Sequence, residues 1–180
     1  YNAQNKGIVY SNGDYLLFLN SGDSFYDNTT FAQVVSSLNE CKVYYGDWID
    51  VYESKEQFGQ YPQGPILYNL YYVCPIHQAM FIHRSLLVND GYDETYLYGA
   101  DRAKWIQLAL DGVSFEKLSN IVCKYDRSGI SSNGLMEIYI KEHSRHHAMY
   151  PQNIESLIIE LTKCKEPLSS KKLILELIKR

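Results

Sequence analysis

At 180 residues and 46% hydrophobic content, the chain is long enough for one domain with a real core and too short for two large ones. A formal net charge of −4, with no basic stripe through the first 130 residues, argues against a nucleic-acid binder. Cys41, Cys74, Cys123 and Cys164 share no metal-binding spacing and read as free buried thiols of a reducing compartment, and no apolar run approaches the ~18 residues of a membrane span.

The first element is an apolar run, Tyr15 to Leu19, between Asn12-Gly13 and Ser21-Gly22, which suits a strand covered on both faces of a parallel sheet. Asn20 and Asp23 then fall at its carboxyl end, where open α/β sheets bind ligands. A carboxylate on such a glycine-containing loop is well placed to hold a divalent cation and, through it, a phosphate; an ordinary Ser-Gly turn fits the same residues. Asp27 or Asn28 caps a helix over 29–39 with Phe31, Val34, Val35 and Leu38 at helical spacing. Residues 42–52 read as a strand interrupted at Gly46-Asp47, and 53–66 as a loop or short hairpin arm punctuated by Pro62, Gly64 and Pro65.

Ala79 to Ile82 is a second apolar stretch leading into a short helix near Ser85 to Val88. Asp101 opens the clearest helix, with Trp105, Leu108 and Ala109 on one face and Asp111-Gly112 as its stop. Val113 to Tyr125 follows as strand. From Leu135 the pattern is helical, in three pieces separated by Pro151 and Pro167, so residues 135–180 read as a helical extension of a domain over 1–134. The last piece carries an apolar stripe (Leu173, Ile174, Leu177, Ile178) with basic ends. It suits docking on the protein's own core or on a second copy in a homodimer, and, less well, peripheral contact with an anionic membrane.

Some of the 17 tyrosines, Tyr68, Tyr71 and Tyr72 or Tyr92, Tyr96 and Tyr98, could stack on sugar rings; they serve equally as amphipathic residues at the edge of the core. His143, His146 and His147 have the spacing of a metal-binding helix face, but with no carboxylate motif beside them they read as surface histidines.

Asn2-Ala3-Gln4-Asn5-Lys6-Gly7, Gly13-Asp14-Tyr15 and Phe18-Leu19-Asn20-Ser21-Gly22-Asp23 together resemble the middle block of the family 2 glycosyltransferases. Tyr45-Gly46-Asp47, Pro75-Ile76-His77-Gln78, Gly91-Tyr92-Asp93-Glu94, Ala100-Asp101 and Ser128-Gly129-Ile130-Ser131 follow in that family's order. The match is nearest to the bacterial subgroup acting on polysaccharide or lipid-linked acceptors. It implies an α/β fold: part of a GT-A, Rossmann-like domain with a mixed sheet flanked by helices, here without the leading nucleotide-binding βαβ unit and with a helical C-terminal tail. A chain starting after that unit is expected to be an incomplete enzyme.

The resemblance also implies the chemistry. A sugar would pass, with inversion, from a nucleotide-sugar donor (UDP-linked) to a saccharide or lipid-linked acceptor in the cytoplasm, assisted by Mn²⁺ or Mg²⁺. Such transfer needs the charge on the leaving diphosphate offset and a proton removed from the acceptor hydroxyl. Asp23 takes the place of the last carboxylate of the metal motif. Two further carboxylates of that motif are replaced here, and Asn20 could add only a carbonyl oxygen. Asp101 takes the place of the catalytic base; on residue type alone it is better explained as a helix cap. His77, in a His-Gln pair like that of the subgroup, is expected near the acceptor or the diphosphate, although a lone histidine beside a proline turn is more often structural; Lys6 suits a phosphate or a solvated helix end equally. The reduced acid motif leaves a second reading, a non-catalytic carbohydrate-binding or scaffolding remnant of the fold.

Overall fold

The computed structural model describes residues 1–62, 64–128, 136–150 and 154. In chain order its elements are α1 (Asn2–Tyr10), β1 (Tyr15–Leu16), β2 (Ser24–Phe25), α2 (Thr30–Val35), β3 (Val43–Tyr52), β4 (Lys55–Gly59) and α3 (Ile66–Tyr72). There follow β5 (Met80–His83), α4 (Ala100–Leu110), β6 (Phe115–Asp126) and α5 (Met136–Ala148). The strands form one mixed sheet in the order β1-β5-β3-β6-β2, with β4 paired to the far half of β3. Among the described residues only β3 and β6 run parallel. The class is the expected α/β, a mixed sheet flanked by helices.

The centre of the sheet is β3, whose Val43 and Tyr44 are fully buried, as a strand covered on both faces requires. The break expected at Gly46-Asp47 appears as a shift of register against β6. A β-carbon at Gly46 would lie 2.6 Å from Val122 and 2.7 Å from the Asn120 carbonyl, so only glycine lets the two backbones approach there. Within the arm expected over 53–66, the chain turns at Glu53-Ser54, both with positive φ, and pairs back on β3 as β4.

Several expectations are corrected. The run from Tyr15 to Leu19 is not a central parallel strand. Only two residues join the sheet, at its edge and antiparallel to β5. Leu17 and Phe18 pack on the core without a ladder and Leu19 is 37% exposed, so the apolar run recorded burial and not strand pairing. The helix over 29–39 shrinks to Thr30–Val35. Its capping position belongs to Thr29; Asp27 holds the turn before it, accepting from the Thr29 and Thr30 amides at 2.8 Å, and Val34 faces inward while Phe31 and Val35 face out. A whole helix, α3, lies where none was expected: Leu67, Leu70 and Tyr71 bury its inner face beside α4. Cys41 is exposed, whereas Cys123 is buried.

Trp105 and Ile106 on α4 are fully buried, and α5 packs back on the start of α4. Among the described residues no helix is long and apolar enough to cross a membrane. The second and third tail helices, the stripe over 173–178, Cys164 and most of the Ser128–Ser131 block lie outside the described residues.

Candidate active site

Three segments far apart in sequence meet at one side of the sheet: the loop after β1, a single 3₁₀ turn over His77–Ala79, and the start of α4. His77 is their link. Its Nδ1 lies 3.0 Å from Asp101 Oδ2, and its Nε2 lies 3.2 Å from the Asn20 side-chain nitrogen. With the Asn20 amide donating to Nε2, the ring proton sits on Nδ1 and is donated to the carboxylate. Three of the five residues singled out from the sequence, Asn20, His77 and Asp101, thus form one hydrogen-bonded line.

Asp101 is not the cap of its helix. The capping position belongs to Gly99, in the left-handed region at φ 77°, and no side chain closes that helix end. A β-carbon on Gly99 would come 2.6 Å from the His146 ring, so the position excludes larger residues on both counts. The Asp101 carboxylate accepts from His77 at Oδ2, and from the Tyr1 hydroxyl (3.0 Å) and the Arg102 amide (2.9 Å) at Oδ1. Burial alone would raise its pKa. The hydrogen bond donated by His77 and the favourable electrostatics of its ring, with the Arg102 amide and Tyr1 hydroxyl, outweigh burial and hold the carboxyl below its ordinary value. It is therefore an anion at neutral pH. Next to it the Arg102 guanidinium, itself buried, donates to the Leu70 and Tyr71 carbonyls at the end of α3, where a cation complements the helix dipole.

Tyr1, which the sequence did not single out, is brought to this carboxylate by the Asn-Lys-Gly block. Asn5 clasps the Gly91–Glu94 turn: its side chain donates to the Tyr92 carbonyl (2.8 Å) and Glu94 (2.9 Å) and accepts from the Tyr92 amide (2.8 Å). Gly91 is where Asn5 rests, since a β-carbon there would lie 2.4 Å from its side-chain oxygen. Two of the family-like blocks are thus one interlocking joint. Lys6, on the same helix, is exposed and does not line the cavity beside Asp101.

Asp23 sits one turn from Asn20 and works as a clasp. Its Oδ2 accepts from the Asn20 amide and its Oδ1 from the Asp126 amide at the end of β6, both at 2.9 Å. Each oxygen keeps a second lone pair. No three His, Cys, Asp or Glu side chains among the described residues gather into a cation shell. The donor set fits a cation only as a single carboxylate whose remaining ligands come with a substrate.

The line opens onto a cavity of about 450 Å³. Trp48, Tyr72, Tyr98, Arg102 and Arg127 are among its walls, giving aromatic faces and two arginines in the cavity that holds the Asp101 anion. Arg127 is aimed by a two-pronged bond to Asp50 (2.8 and 3.3 Å) and its charge lies over the Tyr125 ring. Of the tyrosines considered for sugar stacking, Tyr72 and Tyr98 reach the cavity, whereas Tyr71, Tyr92 and Tyr96 belong to the core. His146 is not a surface histidine: it is 2% exposed, stacked on Tyr96, and donates from Nε2 to the Gly99 carbonyl.

Comparison with known proteins points one way. An uncharacterized glycosyltransferase of Mycobacterium tuberculosis is 30% identical over 145 residues, 74% of this chain and 52% of the relative. A PGL/p-HBAD biosynthesis glycosyltransferase of Mycobacterium bovis is 32% identical over 105 residues, 56% of this chain and 40% of the relative. The chain is a homologue of glycosyltransferases. No family model matches it. The chain spans about half the length of the curated relatives it matches.

Proposed function

We propose that the protein is a family 2 glycosyltransferase of the GT-A type. It moves a sugar from a nucleotide donor, UDP-linked, to a saccharide or lipid-linked acceptor with inversion at the anomeric carbon. The observation that carries the reading is the Asn20–His77–Asp101 line at the wall of an aromatic cavity, in a homologue of glycosyltransferases. A relative named for PGL/p-HBAD biosynthesis favours glycan assembly over breakdown.

Asp101 would act as base. Its Oδ1 already accepts two hydrogen bonds and Oδ2 only one, so an acceptor hydroxyl would approach Oδ2. As that hydroxyl oxygen attacks the anomeric carbon, its proton passes to Oδ2. The bond from the anomeric carbon to the diphosphate breaks with its electron pair, and a single displacement inverts the centre. A carboxylate with a low pKa suffices because the hydroxyl becomes strongly acidic only as the new bond forms. His77 would keep Oδ2 turned to the cavity, and Arg127 would face the donor's negative charge. A divalent cation held by Asp23, Mn²⁺ or Mg²⁺, would offset charge on the diphosphate. Tyr72 and Tyr98 would supply faces for a pyranose ring.

The full-length protein that carries this chain, incubated with labelled UDP-sugars and a saccharide or lipid-phosphate acceptor, should form a glycoside of inverted configuration. Absence of transfer across the common UDP-sugars, with the protein folded and binding UDP, would count for a non-catalytic carbohydrate-binding protein instead.

A further inference from the structure

We propose that Tyr1 is a positioning residue for the Asp101 base: its hydroxyl fixes one carboxylate oxygen so that the other alone faces the acceptor. This rests on Asp101 being the base. The Tyr1 hydroxyl is a relay of defined direction. It accepts from the Gly99 amide at 2.9 Å, which consumes a lone pair and leaves its own proton to be donated to Asp101 Oδ1 at 3.0 Å. Burial and the neighbouring carboxylate push the phenol pKa far up, so the hydroxyl stays protonated and remains a donor through the working range of pH. With the Arg102 amide on the same oxygen, Oδ1 is saturated.

The arrangement is supported from behind. The Tyr1 ring lies against Tyr92 with centroids 5.5 Å apart, and Tyr92 is the residue whose backbone Asn5 grips from both sides. The helix that carries Tyr1 is therefore locked to the 91–94 turn, and the hydroxyl to the first turn of α4, through contacts 87 to 100 residues apart in sequence. Ring packing alone would hold the helix without aiming a hydroxyl at a half-satisfied anion. Misplacing a reacting group by about 1 Å can cost on the order of 100-fold in rate, which sets the scale of what the Tyr1 hydroxyl protects.

The experiment uses the full-length protein with three changes: Tyr1→Phe, Asp101→Asn, and replacement of Tyr1 by mono-, di- and trifluorotyrosine. Fluorination retains the ring and hydroxyl but makes the hydroxyl a progressively stronger donor. Tyr1→Phe should lower kcat by about 10- to 100-fold with the donor KM unchanged. The fluorotyrosines should fold normally and lower kcat stepwise, about two- to threefold in all, as the stronger hydrogen bond weakens the base. If Tyr1→Phe fails to fold, the fluorotyrosine series decides. Folded Tyr1→Phe with kcat within twofold of wild type, or a flat fluorotyrosine series, overturns the role of Tyr1 while Asp101→Asn inactivity leaves the base in place. An active Asp101→Asn overturns both.

Discussion

His146 makes the stability of the site depend on pH in a calculable way. Burial, then the nearby Arg102 and His143, pull its pKa down from the ordinary 6.5 to about 4, against the raising effects of the Gly99 carbonyl and Asp101. The folded state holds the neutral ring, with its Nε2–H donated to the Gly99 carbonyl and its Nδ1 buried without a partner among the described residues. A folded value below the unfolded one means that the stabilisation is complete above pH 6.5 and is lost as pH falls toward 4, because there the unfolded chain binds a proton that the folded chain refuses. At about 1.4 kcal/mol per pH unit the loss across that window is about 3 kcal/mol, a large part of a stability of roughly 5–15 kcal/mol. Buried carboxylates such as Asp101, whose values are lowered from 3.8, add losses of the same sign only at lower pH. The assay is urea unfolding at intervals from pH 7 to 4.5, for wild type and His146→Gln. Glutamine can still donate to Gly99 but cannot titrate, so it should be less stable at pH 7 and lose distinctly less on acidification. Parallel pH curves for the two proteins would refute the reasoning.

Further predictions concern Asp23 and Gly99. With Asp23 as its sole carboxylate, Mn²⁺ should bind weakly alone and clearly better with UDP by calorimetry, and Asp23→Ala should abolish the gain; tight binding without nucleotide would contradict the assignment. Gly99→Ala forces a β-carbon into the His146 ring at φ 77° and should cost about 2 kcal/mol in chemical denaturation, with activity lost alongside; a neutral substitution would show that the bend is not needed.

The central strand β3, the hairpin arm and α4 were legible because long periodic stretches bounded by Gly and Asp carry their own signal. The glycine-aspartate break in β3 even marked the shift of register. The apolar run after Asp14 misled because hydrophobicity reports burial and not pairing partners, which here lie 66 to 68 residues away on β5. α3 was hidden by the Pro62–Pro65 punctuation before it, although Ile66, Leu67, Leu70 and Tyr71 do recur at helical spacing. At the site, Asn20, His77 and Asp101 were found by their resemblance to a known order of blocks, and their meeting depends on the fold alone. Tyr1 was missed because nothing local distinguishes a tyrosine that packs from one that donates across about 100 residues. Arg127 could have been found: it directly precedes the Ser128-Gly129 block and is the charged residue that follows β6.

The most direct measurement is turnover of UDP-sugar to acceptor by full-length Asp101→Asn beside wild type, with unfolding midpoints recorded for both. The asparagine keeps a side-chain oxygen for Tyr1 and the Arg102 amide but cannot take the proton. The account predicts a folded variant with an unchanged donor KM and a kcat reduced by about 100-fold or more, the usual scale for loss of a general base. Turnover within a few-fold of wild type would contradict it, and would leave Asp101 as a structural anion at the start of α4.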